Sequence, residues 1–389
     1  MKILLTKYFL FILIGSASIF FSCKKDVSQT TVKNPENFSE VFDAFWIGMN
    51  QNYLYWDIDT SDRNATYIKY KPYFERLDLN DKNDVKKSVQ YFKQITGGLI
   101  DGHYSIHFLN NAITDSIVYP SFERKQSHSG FHYPFSYFKV DTNYLDKGFI
   151  LGFNNVFSTA GVPLTVLTGT INHNILYFGC NSFSLLKSYL SPTQNNVQPV
   201  LQYFFDSLKN LSVNIKGIII DVRSNSGGDV NDLNFIAGHL IDKPLHFGYT
   251  QYKSGNGRLD FTPWINAVIN PAPNTKAITL TIIALADNTS ASLSEAVVMA
   301  IHRMPNGVII GETTWGATGP ITAEGVFNAG QFIVSNFLSI QTSSCKFKYL
   351  DGKSYEGKGF PPDINVPFNL SELQQGKDVQ LEKAIEYIK

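Results

Sequence analysis

The chain has 389 residues, a length typical of two or three domains or of one large domain with an appendage. Hydrophobic residues make up 43% and charged residues 17%, which excludes a disordered or collagen-like chain and predicts a sizeable core. Thirty-three basic and thirty-three acidic residues cancel, so no excess of positive charge points to a nucleic-acid partner. Three cysteines are too few for a disulfide scaffold. We therefore expect a folded enzyme or a binding protein.

The first 22 residues have the pattern of an export signal. Two lysines precede a run of 14 apolar or small residues, 8–21, whereas a membrane-spanning helix needs about 20. Ser22 and Cys23 follow, and this junction resembles a bacterial lipobox, in which cleavage precedes a cysteine that carries a lipid. Phe20 stands where leucine is usual, and an ordinary signal peptide is the alternative.

The lipobox resemblance implies a protein anchored by Cys23 in the envelope of a Gram-negative bacterium, on the outer membrane and facing the periplasm or the surface. Residues 23–33 are polar and predict a flexible tether. Cys180 and Cys345 remain, and the sequence leaves open whether they pair.

Residues 34–100 predict a helical subdomain. Asn34 can cap a helix that Pro35 opens. Apolar residues then recur at helical spacing at six positions: Phe38, Val41, Phe42, Phe45, Trp46 and Met49. A second helix is predicted over 84–96, ended by two glycines.

The rest of the chain predicts an α/β body. Apolar and polar residues alternate within 101–119, which indicates a strand. The turn Asp101-Gly-His precedes this strand. Apolar residues in 120–165 recur at neither helical nor strand spacing, which predicts an insertion or a loop. Over 166–375 buried strands, such as 215–222 and 277–286, alternate with helices, and a final helix is expected within 376–389.

Two strand-to-helix turns contain groups suited to chemistry at a sheet edge. The first, 221–228, ends in Gly227 and Gly228, whose amides can approach a ligand closely, although tight turns use glycine routinely. The second, 287–295, places Ser292 at the start of a helix, where the dipole favours developing negative charge. The alternative is a serine that only caps the helix.

Together with 307–316 and 355–364, these turns resemble the C-terminal processing and tricorn-type serine peptidases. The resemblance covers about 165–370 and extends forward to His103. It implies an α/β fold with a crotonase/ClpP-like β-β-α core behind the N-terminal helical subdomain. It also implies that Ser292, the first serine of a Ser-x-Ser-Glu motif, is the nucleophile.

The resemblance separates two catalytic designs within the family. One uses a lysine directly after a Gly-Glu-x-Thr-x-Gly motif, but Ala317 stands there and no lysine occurs from 292 to 344. The tricorn-like design uses an early histidine and a glutamate before a Gly-x-Pro-Asp segment. His103 and Glu356 occupy those places, and Gly102 stands where tricorn has a bridging serine. Either Ser105 or a water substitutes for that serine, or the relay between acid and histidine is weaker.

The implied mechanism is acyl transfer. His103 would take the Ser292 proton, and Glu356 would orient the imidazole directly or through a bridging group. The oxyanion would be held by the amides of Gly227 or Gly228 and Leu293.

Other polar residues of the motifs have less direct expected roles. Glu312 is the rival for the triad acid, and Glu295 is expected to brace the helix start. Asp221 and Arg223 would fix the oxyanion turn. Apart from His103 and His107, which lack a third ligand, nothing suggests a metal site, and we expect neither metal nor cofactor.

We therefore expect a lipid-anchored serine peptidase that acts on peptides or proteins. No Gly-Leu-Gly-Phe-type loop occurs between 110 and 165, so no ordinary PDZ domain is predicted. A non-catalytic lipoprotein that binds a hydrophobic ligand or a peptide on the same fold is one alternative. An esterase with the same triad is another. The oligomeric state is left open.

Overall fold

The structure is a computed structural model that describes residues 35–60, 62–114, 116–159, 162–321 and 330–389. The predicted signal segment, the tether and Cys23 lie outside these ranges. Within them, no helix combines the length and the apolar character that a bilayer crossing requires.

The described elements alternate between helices and strands after a helical start. The helices are α1 Phe38–Asn52, α2 Arg63–Phe74, α3 Lys82–Thr96, α4 Pro120–Gln126, α5 Phe138–Asp141, α6 Leu185–Tyr189, α7 Val197–Lys209, α8 Asn231–Ala237, α9 Leu293–Arg303, α10 Leu370–Gln374 and α11 Val379–Ile388. The strands are β1 Ser105–Phe108, β2 Ile117–Val118, β3 Ile150–Thr159, β4 Val162–Ile171, β5 Ile175–Cys180, β6 Gly217–Asp221, β7 Leu245–Tyr252, β8 Ile265–Ile269, β9 Thr281–Ala286, β10 Gly307–Gly311, β11 Gln331–Val334, β12 Leu338–Gln341, β13 Cys345–Tyr349 and β14 Ile364–Asn365.

A seven-stranded mixed sheet forms the centre of the α/β body, in the order β14-β10-β9-β6-β5-β4-β3. Strands β5, β6, β9, β10 and β14 are parallel, and β3 and β4 continue the sheet as antiparallel strands. All five residues of β6 are buried because α7, α8 and α9 cover one face and α11 covers the other. The predicted α/β class is confirmed, and the two strand-to-helix turns leave the sheet at the same edge.

The N-terminal helices pack on a separate four-stranded sheet, β11-β12-β1-β2. The predicted start of the first helix at Pro35 is wrong, because Asn37 caps α1 by accepting a hydrogen bond from the Glu40 N–H at 2.9 Å. The predicted second helix corresponds to α3, which begins at Lys82 since Asp81 supplies its cap. Helix α2 was not predicted, because only Arg63 and Phe74 are buried along it and its apolar periodicity is weak.

Of the two alternatives predicted for 120–165, an insertion or a loop, the loop is wrong. This stretch contains α4, α5 and β3, an edge strand of the central sheet. Its alternation is inverted, since Leu151 and Phe153 are exposed while Gly152 and Asn154 are buried. Glycine is required at this inward-facing position, because a Cβ at Gly152 would lie 2.1 Å from the Asn196 carbonyl oxygen at the start of α7. A strand with its small residues inside carries no usual apolar signal.

Candidate active site

Ser292 lies between the end of β9 and the first residue of α9. Its backbone has φ 57° and ψ −118°, a region that non-glycine residues rarely adopt and that costs about 1–3 kcal/mol. The residue is half-buried and lines a cavity. A strained serine at a helix start is the backbone geometry that exposes a hydroxyl at a sheet edge.

The Glu295 carboxylate holds this turn. Its Oε2 accepts hydrogen bonds from the Ser292 N–H at 3.1 Å and the Ala317 N–H at 2.6 Å. Its Oε1 accepts from the Gly316 N–H at 2.7 Å and the Thr314 hydroxyl at 2.6 Å. Burial raises the pKa of Glu295, and these donors act in the opposite direction. The arrangement agrees with the bracing role expected for this residue.

The glycine turn after β6 lies directly against Ser292. Gly227 has φ +97°, and a Cβ there would lie 2.6 Å from the Ser292 Cβ. The Gly227 N–H already donates to Asn225 Oδ1 at 2.9 Å. By contrast, the N–H groups of Gly228 and Leu293 donate to no residue in the described parts of the chain. The geometry therefore favours Gly228 over Gly227 as the partner of Leu293 in an oxyanion hole.

His103 belongs to a turn that Asp101 ties to another part of the chain. Asp101 Oδ1 accepts from the His103 N–H and the Ser343 hydroxyl, both at 2.9 Å. Its Oδ2 accepts from the Thr342 hydroxyl at 2.6 Å and the Ser343 N–H at 2.9 Å. The connection between β12 and β13 thus fixes the start of β1, an arrangement that the sequence did not indicate.

Glu356 lies beside the same turn. Its Oε1 accepts from the Gly102 N–H at 2.6 Å, and its Oε2 accepts from the Gly319 N–H at 2.7 Å and the Thr318 hydroxyl at 2.9 Å. One side-chain atom each of Asp101, His103 and Glu356 lies within 4.8 Å of the other two. The structure thus brings the predicted histidine and glutamate together, with the glutamate bonded to the backbone at Gly102.

Such a trio of side chains is also the kind of set that can hold a metal ion. Every oxygen of Asp101 and Glu356 already accepts at least one hydrogen bond from an N–H or a hydroxyl. Carboxylate oxygens that already accept hydrogen bonds from the protein are less suited to binding a cation.

Electrostatics favour an uncharged imidazole at neutral pH. Burial lowers the pKa of His103, while the charge of Asp101 and the Gly319 backbone raise it. Burial also raises the pKa of Glu356 to about 8, and the charge of Asp101 adds to the effect. The Nδ1 atom of His103 is buried and accepts or donates no hydrogen bond within the described residues. A neutral imidazole is the form that can accept a proton.

Segment 316–319 connects the two halves of the site. Its first two N–H groups donate to Glu295, which braces Ser292. Its last two residues donate to Glu356, beside His103. Two buried glutamates therefore accept hydrogen bonds from consecutive pairs of residues in one segment. The segment thus holds the turn of Ser292 in place relative to the turn of His103.

The other residues named from the sequence lie in separate contacts. Glu312 pairs with His132, whose Nε2 is 2.8 Å from Glu312 Oε2, and it accepts from the Phe368 N–H. His107 is exposed on β1. Thus the rival acid has a different histidine as its partner, one whose sequence context carried no motif.

The remaining buried groups behind the glycine turn are structural. Arg223 donates to both Asp221 and Asp378, so the turn is anchored to the start of α11. Cys180 and Cys345 are both buried free thiols, which answers the question of their pairing.

A cavity of about 390 Å³ lies beside Ser292. Both proposed oxyanion residues, Gly228 and Leu293, contribute to its wall. Most of the lining side chains are apolar, for example Phe247, Ala296, Met299 and Phe347, and none of the described lining residues is charged. The cavity is therefore suited to an apolar side chain.

Comparison with known proteins identifies the domain. Residues 174–366 match the model of Peptidase family S41. The chain contains a domain of peptidase family S41. This confirms the family resemblance found in the motifs.

Individual relatives in the S41 comparison are distant. The chain is 22% identical over 205 residues to the Carboxy-terminal processing protease CtpA of Bacillus subtilis (strain 168), covering 53% of this chain and 40% of the relative. It is 26% identical over 172 residues to the Tricorn protease of Thermoplasma acidophilum, covering 44% of this chain and 14% of the relative. The chain thus spans less than half the length of these curated relatives.

Solved structures share the fold over most of the chain. A candidate peptidase from Parabacteroides merdae ATCC 43184 is 22% identical with a TM-score of 0.68, and the match covers 91% of this chain and 97% of that one. Mature CPAF complexed with lactacystin is 12% identical with a TM-score of 0.57, again covering 91% of this chain and 97% of that one. The S41 peptidase fold is therefore confirmed.

Proposed function

We propose that this S41 chain is a serine peptidase that hydrolyses peptides or proteins through an acyl-enzyme on Ser292. The observation that carries the proposal is the environment of that serine. It stands at a strained helix start beside two N–H groups that donate to none of the described residues. One short segment links Glu295, which braces the serine, to the His103–Glu356 pair.

Each proposed step has a named group. The Ser292 hydroxyl oxygen attacks the peptide carbonyl carbon while its proton passes to His103. The carbonyl oxygen becomes an oxyanion, which accepts hydrogen bonds from the N–H groups of Gly228 and Leu293. The C–N bond then breaks, and His103 gives its proton to the leaving amine. A water molecule, deprotonated by His103, then attacks the ester carbonyl carbon. The bond from that carbon to the Ser292 oxygen breaks, His103 gives the proton to this oxygen, and the acid leaves.

Glu356 acts in this proposal as a positioning residue for His103. It accepts from the N–H of Gly102, the residue that precedes the histidine, so it fixes the turn that presents the imidazole. A bridging serine is therefore not required to connect the acid to the histidine turn. Asp101, whose charge raises the pKa of His103, contributes the stabilising charge when the imidazole is protonated.

The substrate is proposed to carry an apolar side chain beside the scissile bond. Ser292, Gly228 and Leu293 all line the 390 Å³ cavity, so a side chain in it belongs to a residue next to the reacting carbonyl. An uncharged, largely apolar wall would leave a charged side chain without a partner.

We also propose that the protein is anchored by a lipid on Cys23 in the Gram-negative cell envelope. The support is the sequence pattern of residues 1–23. Cys23→Ser is expected to move the protein from the membrane fraction to the soluble fraction. Unchanged fractionation, together with no lipid on the mature N-terminus by mass spectrometry, would reject the anchor.

The test of activity is a panel of fluorogenic peptides and matched small esters that differ in one side chain, assayed with wild type and Ser292→Ala. Cleavage of peptides with apolar side chains, lost in the variant, supports the proposal. Hydrolysis of esters alone would favour the esterase alternative. Binding of the same peptides without turnover, and without an effect of the variant, would favour the binding protein that the apolar cavity also suits.

A further inference from the structure

The peptide group between Gly102 and His103 receives two side-chain hydrogen bonds from one helix. The hydroxyls of Tyr119, which directly precedes α4, and of Ser121, in its first turn, both donate to the Gly102 carbonyl oxygen at 3.0 Å. Ser121 is buried, and burial raises the pKa of Tyr119, so the phenol keeps its proton at neutral pH. Both lone pairs of this carbonyl oxygen are therefore engaged by α4.

Other groups hold the remaining sides of this turn. The Gly102 N–H donates to Glu356, and the His103 N–H donates to Asp101. Packing adds a further contact, because a Cβ at Gly102 would lie 2.5 Å from the Ala317 Cα. Every backbone polar group from the Gly102 N–H to the His103 N–H thus has a partner, and the backbone that carries the imidazole is fixed.

The orientation of the imidazole depends on this backbone. Within the described residues, Asp101 and Glu356 accept from the backbone of the turn, and the buried Nδ1 of His103 has no hydrogen-bond partner. In a Ser-His-Asp triad, the acid orients the ring through that nitrogen. Here the orientation of the ring comes from its backbone and its packing, so the groups that fix the Gly102–His103 peptide act on the base itself.

Helix α4 also contacts the elements around the nucleophile. The Phe122 ring stacks on the Trp315 ring, with 6.3 Å between the centroids and 23° between the planes. The Trp315 N–H in turn donates to the carbonyl oxygen of Ser290 at 2.9 Å, two residues before Ser292. One helix therefore joins the turn of His103 to the turn of Ser292.

We propose that Tyr119 and Ser121 are positioning residues for His103, and that their hydroxyls hold the Gly102 carbonyl so that the imidazole is directed at Ser292 during proton transfer. The inference rests on the proposed function. Either hydroxyl satisfies the carbonyl without the other, whereas loss of both leaves a buried acceptor without a donor and allows the peptide to rotate. The mark of this role is therefore that each hydroxyl substitutes for the other.

The first experiment compares Tyr119→Phe, Ser121→Ala and the double variant with wild type on an apolar fluorogenic peptide. Each single change is expected to lower kcat about threefold or less. The double change should lower kcat about 100-fold with KM nearly unchanged, because it misplaces the base without altering the cavity beside Ser292. A double variant with wild-type kcat, or with a loss equal to the product of the two single losses, would overturn the proposal.

Matched variants separate positioning from a general loss of hydroxyl groups. The control pair, Tyr67→Phe with Ser127→Ala, removes one phenol and one serine hydroxyl that donate elsewhere, and it should leave kcat unchanged. Ser121→Cys keeps the size of the side chain but offers a weaker donor, so with Tyr119→Phe it should lose an intermediate amount of kcat. This variant keeps the test valid if the double variant with alanine does not fold. Wild-type kcat in the cysteine variant would contradict the role of the hydroxyls.

Labelling of Ser292 by a fluorophosphonate separates this inference from the proposed function. The double variant should be labelled about 100-fold more slowly than wild type, and the control pair at the wild-type rate. If wild-type Ser292 is not labelled, the proposed function fails, and the ring resonances of His103, assigned with His103→Gln, are compared by NMR instead. A shift of these resonances in the double variant and not in the control pair would support the positioning role without the peptidase. Unchanged resonances would reject it.

Discussion

The site has a serine side around Ser292 and a histidine side around His103, and the two are built differently. On the serine side, the hydrogen bonds of Glu295 with Ser292 and Ala317 span 22 residues at most, and the Ser294 hydroxyl joins the glycine turn at Asn225 across 69 residues. The histidine side joins distant parts, since Gly102 and Glu356 are 254 residues apart and Asp101 and Ser343 are 242 apart. The serine side therefore depends on the paired strands β6 and β9, the turn that follows each of them, and one helix. The histidine side depends on how the N-terminal elements dock on the rest of the chain.

The difference predicts which changes damage chemistry alone and which also damage structure. Substitutions on the serine side should alter activity through a local clash or a lost donor. Substitutions of the carboxylates on the histidine side should also change the docking of β1, because those groups accept several hydrogen bonds across it.

The largest expected effect, on the histidine side, comes from His103→Gln. Removal of the base should lower kcat/KM roughly 10,000-fold, as measured with an apolar fluorogenic peptide. His107→Gln, four residues later and exposed on β1, should leave kcat/KM unchanged. More than a tenth of the wild-type activity in His103→Gln would show that the histidine side takes no part in proton transfer.

On the serine side, Gly227→Ala should lower kcat about 100- to 1,000-fold, because its Cβ would lie 2.6 Å from the Ser292 Cβ and displace the oxyanion turn. Gly352→Ala is the matched control. Gly352 also has a positive φ, of +79°, but its Cβ would meet nothing within 4 Å. Equal activity of the two variants would contradict the contact between glycine turn and nucleophile.

Ala296→Leu tests the apolar cavity on the serine side. The larger side chain narrows the cavity, so kcat/KM for peptides with a large apolar residue should fall about 10- to 100-fold. Peptides with alanine at the same position should be cleaved as before and serve as the internal control. A uniform loss for both peptides would show that the cavity does not hold the side chain beside the scissile bond.

The smallest expected effect is a shift in pH dependence with Asp101→Asn. Activity requires neutral His103, and burial lowers its pKa, so the acidic limb of kcat/KM in wild type should lie below pH 6.5. The charge of Asp101 raises that pKa, so its removal should move the limb to still lower pH. Movement toward higher pH would contradict the electrostatic role assigned to Asp101. A thermal melt would report the accompanying loss of docking.

The position of Ser292 at a helix start could be predicted from the sequence because that geometry is local. A buried strand, a serine-rich turn and an amphipathic helix place Ser292 at a sheet edge, and Glu295 sits three residues later, where it can reach back to the turn. The choice between Gly227 and Gly228 could not be made, because it depends on which N–H the Asn225 side chain occupies.

The roles of His103 and Glu356 could be proposed only from the order of the family motifs. Nothing in the local pattern indicated that Asp101 would bond to Thr342 and Ser343, or that one segment would connect Glu295 with Glu356. The strand β3 was missed for a different reason, because its apolar residues face outward and its small residues face the core.

The most direct test of the account is labelling of purified protein, residues 24–389, by a fluorophosphonate probe, with the modified peptide mapped by mass spectrometry. We predict modification of Ser292 in wild type and its loss in both Ser292→Ala and His103→Gln, with Ser294→Ala still labelled. Folded wild-type protein that is not labelled, or that is labelled at another serine, would contradict the assignment of Ser292 as an activated nucleophile.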